Sequence, residues 1–303
     1  MLIQPDCIPC ILKMAVYVMR ALQFDKDESR VLYGRIAALP SLQGERWNYT
    51  SPEIIEQVMD IILQARKEED PFHAIKRTQN QMILDVVPYL ETLVREDPNP
   101  LLTAVKLAIL GNNIDFMVGE NPPDIKHLIR EKLQAPIPPE RFGRLEEGLS
   151  RAKRVVYFAD NAGEIVFDRV LIGILKERFE ADITVVVRQR PTLNDTTLEE
   201  ARAVGIDALV PVIPNGMDGP FPGTRLQRCS AKVNSLVEEA DLILSKGGGN
   251  YDSLSEERED VTRKIAYLLV SKCYPYYEEF GVPLFQPVLE TLTGRKRPSS
   301  IDI

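Results

Sequence analysis

The spacing of hydrophobic residues along the chain changes near residue 150. Before that point, apolar side chains recur three or four positions apart, which places them on one face of an α-helix. Ser51-Pro52 predicts a helix start, because serine caps a first turn well and proline fits within it. Asp70-Pro71 and Asn99-Pro100 indicate two further starts. Residues 1–150 are therefore predicted to form a helical domain.

After residue 150, short apolar runs rich in β-branched residues alternate with helical spacing. Three of these runs are typical of buried strands and lie at 154–158, 182–188 and 241–245. Weaker signals predict strands at 209–213 and 282–287 and a helix over 260–272. The alternation predicts an α/β fold, a Rossmann-like and mainly parallel sheet with helices on both faces. Residues 151–303 would form this domain and carry the functional site.

Each of the three runs ends in a loop of charged, amide or hydroxyl groups. The first is followed by Asp160-Asn161, the second by Asn194-Asp195 and the third by Lys246 and three glycines. Ligands of open α/β sheets bind outside the carboxyl ends of the strands, so we expect the loops to share one cleft.

Asp160, Asn161 and Asp195 are the predicted metal ligands in this cleft. Carboxylate and amide oxygens suit magnesium or manganese better than zinc, and water with a substrate phosphate would complete an octahedral shell. A competing interpretation is that Asp160 and Asn161 only cap the following helix, which is a common role for these residue types.

Residues 246–250, a lysine, three glycines and an asparagine, are typical of an anion-binding loop, because glycines leave backbone N–H groups free to face phosphate. The alternative is a flexible turn between strand and helix.

Glu164 and Asp168 share one face of the predicted first crossover helix. Glu164 could accept a proton or hold a substrate hydroxyl, whereas a solvated helix start is the favoured interpretation of Asp168. Asn112 and Asp115, one helical turn apart, could close the cleft from the helical domain.

The composition narrows the class of partner. The formal net charge is -8, which argues against a general nucleic-acid binder and favours a small molecule. No apolar stretch is long enough to span a bilayer, and the first residues do not resemble a secretory signal, so we expect a cytoplasmic protein without a membrane partner. Two histidines in no recognisable constellation make a Ser-His-Asp mechanism unattractive.

Four cysteines in a chain of 303 residues do not form a disulfide framework. Cys7 and Cys10 form a C-x-x-C pair, which is either a redox pair, half of a metal site, or two buried structural thiols at a helix start. No second C-x-x-C pair or nearby histidine pair completes a zinc site, so structural thiols are the preferred interpretation.

The ordered series of motifs resembles the damage-control phosphatase family, long known as domain of unknown function 89. The N-terminal C-x-x-C pair is similar to the branch common in archaea and some bacteria. The resemblance covers essentially the whole chain, and its motifs are Pro5-Asp6-Cys7 with Cys10, Asp70-Pro71-Phe72 with Lys76 and Asn80, Gly111-Asn112 with Ile114-Asp115, Asp160-Asn161-Ala162-Gly163-Glu164, Leu193-Asn194-Asp195-Thr196-Thr197, Lys246-Gly247-Gly248-Gly249-Asn250-Tyr251 and Ser271-Lys272-Cys273.

This resemblance implies a metal-dependent phosphatase that uses manganese, magnesium, cobalt or nickel. It implies metal ligation by Asp160, Asn161 and Asp195, and substrate or phosphate contacts by Glu164, Gly248, Gly249, Asn250 and Lys272. Some eukaryotic relatives carry Arg-Thr-x-Lys near the last lysine, whereas this chain has Leu269-Val270-Ser271-Lys272. Substrate preference is therefore not transferred from them.

We accordingly expect hydrolysis of phosphomonoesters of small metabolites, such as sugar phosphates, damaged phosphometabolites or nucleotides. Water would attack phosphorus with metal assistance, and Lys246 and Lys272 would stabilise the phosphoryl oxygens. A carboxylate nucleophile stays open beside water, since Asp160 or Asp195 could attack if it does not bind the metal. Two alternatives stay open: an S-adenosylmethionine-dependent carboxyl methyltransferase and a noncatalytic metal- or metabolite-binding module. The sequence does not predict the oligomeric state.

Overall fold

The computed structural model describes residues 1–66, 70–111, 124–257 and 264–292. Within these ranges, eight helices precede the first strand, as the helical spacing predicted. They are α1 (Cys7–Ala21), α2 (Lys26–Ala37), α3 (Ser51–Arg66), α4 (His73–Leu84), α5 (Val87–Glu96), α6 (Pro100–Gly111), α7 (Ile125–Leu133) and α8 (Pro139–Arg151).

The helical region does not have a single core of its own. Helices α1–α3 enclose one apolar cluster, in which Val18, Ile54 and Val58 are fully buried. Helix α6 is instead apolar nearly all round, and its residues join the core beneath the sheet. A helix that is hydrophobic on every side must be covered on every side. The boundary predicted near residue 150 therefore coincides with the start of the sheet, while the apolar core continues across it.

The second half of the chain forms a six-stranded sheet in the order β3-β2-β1-β4-β5-β6. Its strands are β1 (Arg154–Phe158), β2 (Asp182–Val187), β3 (Val212–Pro214), β4 (Leu242–Lys246), β5 (Lys264–Val270) and β6 (Pro287–Leu292). The first five strands are parallel, and β6 pairs antiparallel with β5. The protein therefore has the predicted α/β fold.

The remaining helices lie between and after these strands. They are α9 (Glu164–Arg178), α10 (Leu198–Ala203), α11 (Ala231–Glu239), α12 (Gly248–Glu256) and α13 (Tyr274–Phe280), with a short 3₁₀ helix at Leu226–Arg228. Apolar clusters cover the two faces of the sheet, one with α6 and α9 and the other with α11, α12 and α13. None of the helices described is both long and apolar enough to cross a bilayer.

The order of the strands determines where a ligand can enter. The chain runs from β1 outward to β2 and β3, then returns to the other side of β1 as β4. Helices that leave β1 and β4 thus diverge, and a crevice opens at the carboxyl ends of these two neighbours.

Three sequence predictions about the second half need correction. The helix predicted over 260–272 is wrong, because Lys264–Val270 is strand β5, which pairs on both sides. Its residues from Ile265 onward are buried throughout, so their apolar run carries no alternation that would distinguish strand from helix. The two weak strands exist but are displaced: β3 begins at Val212, and the edge strand β6 begins at Pro287.

Candidate functional site

A cavity of about 370 Å³ lies between the carboxyl end of the sheet and the N-terminal helices. The sheet side supplies polar groups from the loops after β1, β2, β4 and β5. The helical side supplies mostly apolar and thiol groups from α1 and α3. Its described lining includes Cys7, Cys10, Ile11, Met14, Pro52, Ile55, Asp160, Asn161, Leu193, Asp195, Gly248, Gly249, Asp252, Lys272, Cys273 and Tyr276.

Backbone pairing beyond the strands brings the predicted metal ligands together. The loop after β1 lies along the loop after β2, where Asn161 and Asp195 form an isolated antiparallel bridge. The Thr196 N–H donates to the Asp160 carbonyl at 2.7 Å, and the Ala162 N–H donates to the Asn194 carbonyl at 2.8 Å. These bonds fix the two loops side by side, so the side chains of Asp160, Asn161 and Asp195 all reach the cavity wall.

A buried arginine, which sequence reasoning did not single out, joins the two acids. Arg188 follows β2 directly and is 2% exposed. Its Nε donates to Asp195 Oδ2 at 2.6 Å, and its Nη2 lies 3.5 Å from Asp160 Oδ1. Both carboxylates therefore lie within reach of one guanidinium. We refer to Asp160, Asn161, Asp195 and Arg188 as the open cluster, because the first three line the cavity.

The electrostatics of the open cluster favour the arrival of positive charge. Burial raises the pKa of Asp160 well above its usual range, and the carboxylates of Glu164 and Asp195 raise it further. Burial also raises the pKa of Asp195, although Arg188 acts in the opposite direction. Burial makes the ionised form of these two carboxyl groups unfavourable. A divalent cation that binds between them would stabilise the ionised form, so the site favours such a cation.

Asn161 is oriented by its acidic neighbours. Its Nδ2 donates to Asp160 Oδ2 at 2.7 Å and to Glu164 Oε2 at 3.3 Å. With the amide nitrogen held by carboxylates, the amide oxygen faces the other way and remains suitable for a hard cation. The competing helix-cap interpretation is wrong, because Gly163, which has no side chain, occupies the cap position of α9.

Lys246 does not reach the cavity. The last residue of β4, it lies on the same sheet face as Leu242 and Leu244 and is fully buried. Its Nζ donates to Glu164 Oε1 and Asp168 Oδ1, each at 2.6 Å, and to the Ala108 carbonyl of α6 at 2.8 Å. This closed cluster of Lys246, Glu164 and Asp168 corrects two expectations: the lysine does not face phosphate, and Asp168 is not solvated.

Asn250 is also placed away from the cavity. Its Nδ2 donates to the Ala159 and Lys246 carbonyls at 3.0 and 2.8 Å, while its Oδ1 accepts from Arg188 and Thr224 at 2.9 and 2.8 Å. These four bonds use the whole capacity of the amide. The expectation that this side chain contacts phosphate is therefore not supported by its position.

The glycine segment contributes backbone to the cavity wall. Gly247 has φ 76° and ψ 168° at the cap position of α12, and Gly248 and Gly249 form the first turn. A Cβ on Gly247 would lie 1.8 Å from Asp160 Oδ2, so only glycine allows this backbone to pass beside the open cluster. Lys272 lines the cavity from the loop after β5.

Some predicted residues remain without a structural outcome or differ from expectation. Asn112 and Asp115 lie outside the described residues. Cys10 is exposed and Cys7 half-buried, so the pair is not buried, and both thiols line the cavity. Among the described histidine, cysteine, aspartate and glutamate side chains, no group of three is arranged to hold a metal ion. The candidate cation site therefore relies on two aspartates and an amide.

Comparisons with known proteins show which family the chain belongs to. A family model described as the damage-control phosphatase ARMT1-like domain matches residues 3–288. The chain belongs to this family. Two damage-control phosphatases are similar along nearly their whole length: that of Archaeoglobus fulgidus is 32% identical over 289 residues, which are 93% of this chain and 96% of the relative. The second, PH1575 of Pyrococcus horikoshii, is 30% identical over 286 residues, with the same coverage.

The chain is also similar to an uncharacterized protein and to a solved structure. An uncharacterized protein of Methanocaldococcus jannaschii is 32% identical over 296 residues, or 95% of this chain and 94% of that protein. The crystal structure of PH1575, titled as a DUF89 family protein, has a TM-score of 0.84 and 27% identity and covers 97% of this chain and 100% of that one. The names of the damage-control phosphatases support a phosphatase-type function for this chain.

Proposed function

We propose that the protein is a divalent-cation-dependent phosphatase that hydrolyses phosphomonoesters of small metabolites. The observation that carries the proposal is the juxtaposition of the open cluster with the first turn of α12 and with Lys272 around one cavity. Oxygen ligands for a hard cation and groups suited to an anion thus face the same volume.

The charge of the cavity wall explains why a cation is needed. Asp6, Asp160, Asp195 and Asp252 line its described part, against the side chain of Lys272 and the Met1 ammonium. When these carboxyl groups are ionised, a phosphate dianion placed among them would meet more negative than positive charge. A cation held by the open cluster reverses this balance, and hard oxygen donors suit manganese, magnesium, cobalt or nickel.

Each group of the chain then has a defined task. Asp160, Asn161 and Asp195 would hold the cation, which, when bound, draws charge from the phosphoryl group and makes water a better nucleophile. The backbone N–H groups at the start of α12 would donate hydrogen bonds to phosphoryl oxygens, and the helix dipole favours negative charge at this end. Lys272 would add a point charge. Glu164 orients Asn161 from behind rather than touching the substrate, since it is fully buried beside Lys246.

The substrate class remains that of sugar phosphates, damaged phosphometabolites or nucleotides. A cavity of about 370 Å³ has room for a phosphoryl group and a small organic group together. The apolar side chains from α1 and α3 would contact the organic group, because they lie opposite the polar loops.

A metal-dependence assay tests the proposal. Protein stripped with a chelator should hydrolyse neither a generic aryl phosphate nor any member of a phosphometabolite panel. Addition of manganese, magnesium, cobalt or nickel should restore turnover, since phosphoryl activation depends on the cation. Full activity after exhaustive stripping, or no turnover of any phosphomonoester with any cation, would overturn it. Calorimetry with S-adenosylmethionine in the absence of metal provides the contrast, because tight binding there would favour a methyltransferase.

A further inference from the structure

Arg188 occupies a position that the proposed reaction does not yet explain. Its guanidinium is buried beneath the open cluster and does not itself line the cavity. Charged side chains are rarely buried unless they are paired.

Four polar groups from four parts of the chain meet this one side chain. Nε donates to Asp195, Nη1 donates to Thr224 Oγ1 at 3.1 Å and to Asn250 Oδ1, and Nη2 lies beside Asp160. Asp195 follows β2, and Thr224 precedes the 3₁₀ helix. Asn250 lies in α12, and Asp160 follows β1. A planar guanidinium with donors in fixed directions can satisfy such an arrangement, whereas a lysine ammonium is a single point.

The side from which Arg188 approaches matters for the two acids. The Arg188 guanidinium donates to Asp195 Oδ2 and lies near Asp160 Oδ1, and it does not line the cavity. Both aspartates do line the cavity wall. Two buried carboxylates that both lie against one guanidinium repel each other, and they would turn apart without a fixed cation between them. An arginine placed on the far side allows them to converge without filling the space in front.

Arg188 also couples the acids to the glycine segment. Asn250, which accepts from Arg188, donates to the carbonyl of Lys246 at the end of β4 and to that of Ala159 at the end of β1. The loops that supply the cation ligands and the first turn of α12 are thereby tied to one guanidinium. A displacement of the Arg188 guanidinium would therefore move both the loops that carry the aspartates and the first turn of α12.

We propose that Arg188 is a positioning residue that holds Asp160 and Asp195 in the convergent arrangement required to receive a divalent cation. The inference rests on the proposed function, since it assigns a purpose to the same site. It assigns Arg188 no contact with substrate. The expected consequence of its loss is weaker cation binding, with a smaller change in the affinity for substrate once the cation is saturating.

The test measures manganese binding directly, without turnover. Isothermal titration of Arg188→Met with Mn²⁺ alone should show at least about a 10-fold weaker affinity than the wild type, the scale of losses when groups that orient metal ligands are removed. Arg188→Lys keeps the charge but loses the fixed directions of the guanidinium donors, so its manganese affinity should lie between those of the wild type and Arg188→Met. In the aryl phosphate assay, the manganese concentration for half-maximal activity should rise more than KM at saturating manganese.

Arg141→Met is the control, because Arg141 is a partly buried arginine that pairs with an acid, Glu290, away from the cavity. It should bind manganese as the wild type does. If Arg188→Met does not fold, Thr224→Val carries the test: removal of one hydroxyl that accepts from Arg188 should weaken manganese binding about 3-fold or more.

Wild-type manganese affinity in a folded Arg188→Met, or in Thr224→Val if that variant carries the test, would overturn the inference. A wild-type protein that binds manganese but hydrolyses no phosphomonoester would instead overturn the proposed function and leave this inference standing. A wild-type protein that binds none of manganese, magnesium, cobalt and nickel would overturn both.

Discussion

The open and closed clusters have the same charged composition and differ in their surroundings. Each combines two carboxylates with one basic side chain: Asp160 and Asp195 with Arg188, and Glu164 and Asp168 with Lys246. With every group ionised, each would carry one excess negative charge. The open cluster faces the cavity, whereas α6, α9 and β4 seal the closed cluster.

The two clusters balance this excess charge by different means. In the closed cluster, burial raises the pKa of Asp168 to about 6, and the Tyr157 hydroxyl lies beside it. The closed cluster can therefore take up a proton below about pH 6, and it has no opening to the cavity. The open cluster borders a space that a cation can enter. The lesson is that access, rather than residue type, separates a structural acid pair from a candidate cation site.

Asp160→Ala should have the largest effect on activity. Loss of a cation ligand should lower manganese-stimulated hydrolysis of an aryl phosphate by more than about 100-fold, because even residues that only orient metal ligands contribute 10- to 100-fold. The fold should be retained, since the change relieves carboxylate repulsion and leaves Arg188 paired with Asp195. Circular dichroism checks the fold. Unchanged activity would contradict the assignment of the open cluster.

Lys246→Met should have the largest effect on stability. It leaves Glu164 and Asp168 buried without their cation, and breaking a buried pair in this way costs roughly 3–5 kcal/mol. Urea unfolding measures the loss. Lys176→Met is the control, since Lys176 donates to the Leu209 carbonyl at an exposed site and should cost little. A stable Lys246→Met variant that lost only phosphate affinity would restore the role expected from the sequence.

Gly247→Ala should damage the open cluster through backbone shape. The new methyl group would meet the Asp160 carboxylate, and a φ of 76° is unfavourable for alanine. Backbone strain and overpacking together should cost about 2–4 kcal/mol and displace Asp160. Gly143→Ala is the control: Gly143 lies in α8 with nothing within 4 Å of the added Cβ, so it should gain up to about 1 kcal/mol. Thermal unfolding with activity assays compares the two.

The positions of the open cluster could be predicted because they depend on chain order alone. Asp160 and Asp195 follow apolar runs, and the carboxyl ends of parallel strands meet at one edge. The outcome for Lys246 was also available in principle. It is two residues beyond Leu244 in the same strand, so the period of two places its side chain under the helices.

Other parts of the site could not be predicted from local pattern. Arg188 is an ordinary polar residue at a strand end until the fold brings Thr224 and Asn250 against it. The apolar side of the cavity comes from Ile11 and Ile55, whose helical spacing predicts core positions equally well. Strand β5 was missed because burial on both faces removes the alternation that marks a strand.

Asp252 sharpens the comparison, because it is a further buried acid, and among the described residues no lysine or arginine side chain pairs with it. It lines the cavity, accepts from the Tyr276 hydroxyl at 3.1 Å and has the Met1 ammonium nearby. Burial raises its pKa to about 7. Between the ordinary pKa of an aspartate and about 7, the folded protein therefore holds a proton that the unfolded chain has released. The stability that this proton contributes at low pH falls across that interval and is fully lost once the pH has passed about 7.

Asp252→Asn should remove this dependence. Between about pH 5.5 and 8 the wild type should lose about 2 kcal/mol more stability than the variant, the amount that linkage gives for such a shift in pKa. Urea unfolding of both proteins across that interval, without added metal, measures the difference. Parallel curves would show that Asp252 stays ionised, and the Met1 ammonium would then be the group that balances it. A variant that is more stable than the wild type only at the alkaline end would show that Asp252 takes up a proton in the folded protein, as expected for a buried carboxyl group that pairs with neither a lysine nor an arginine side chain.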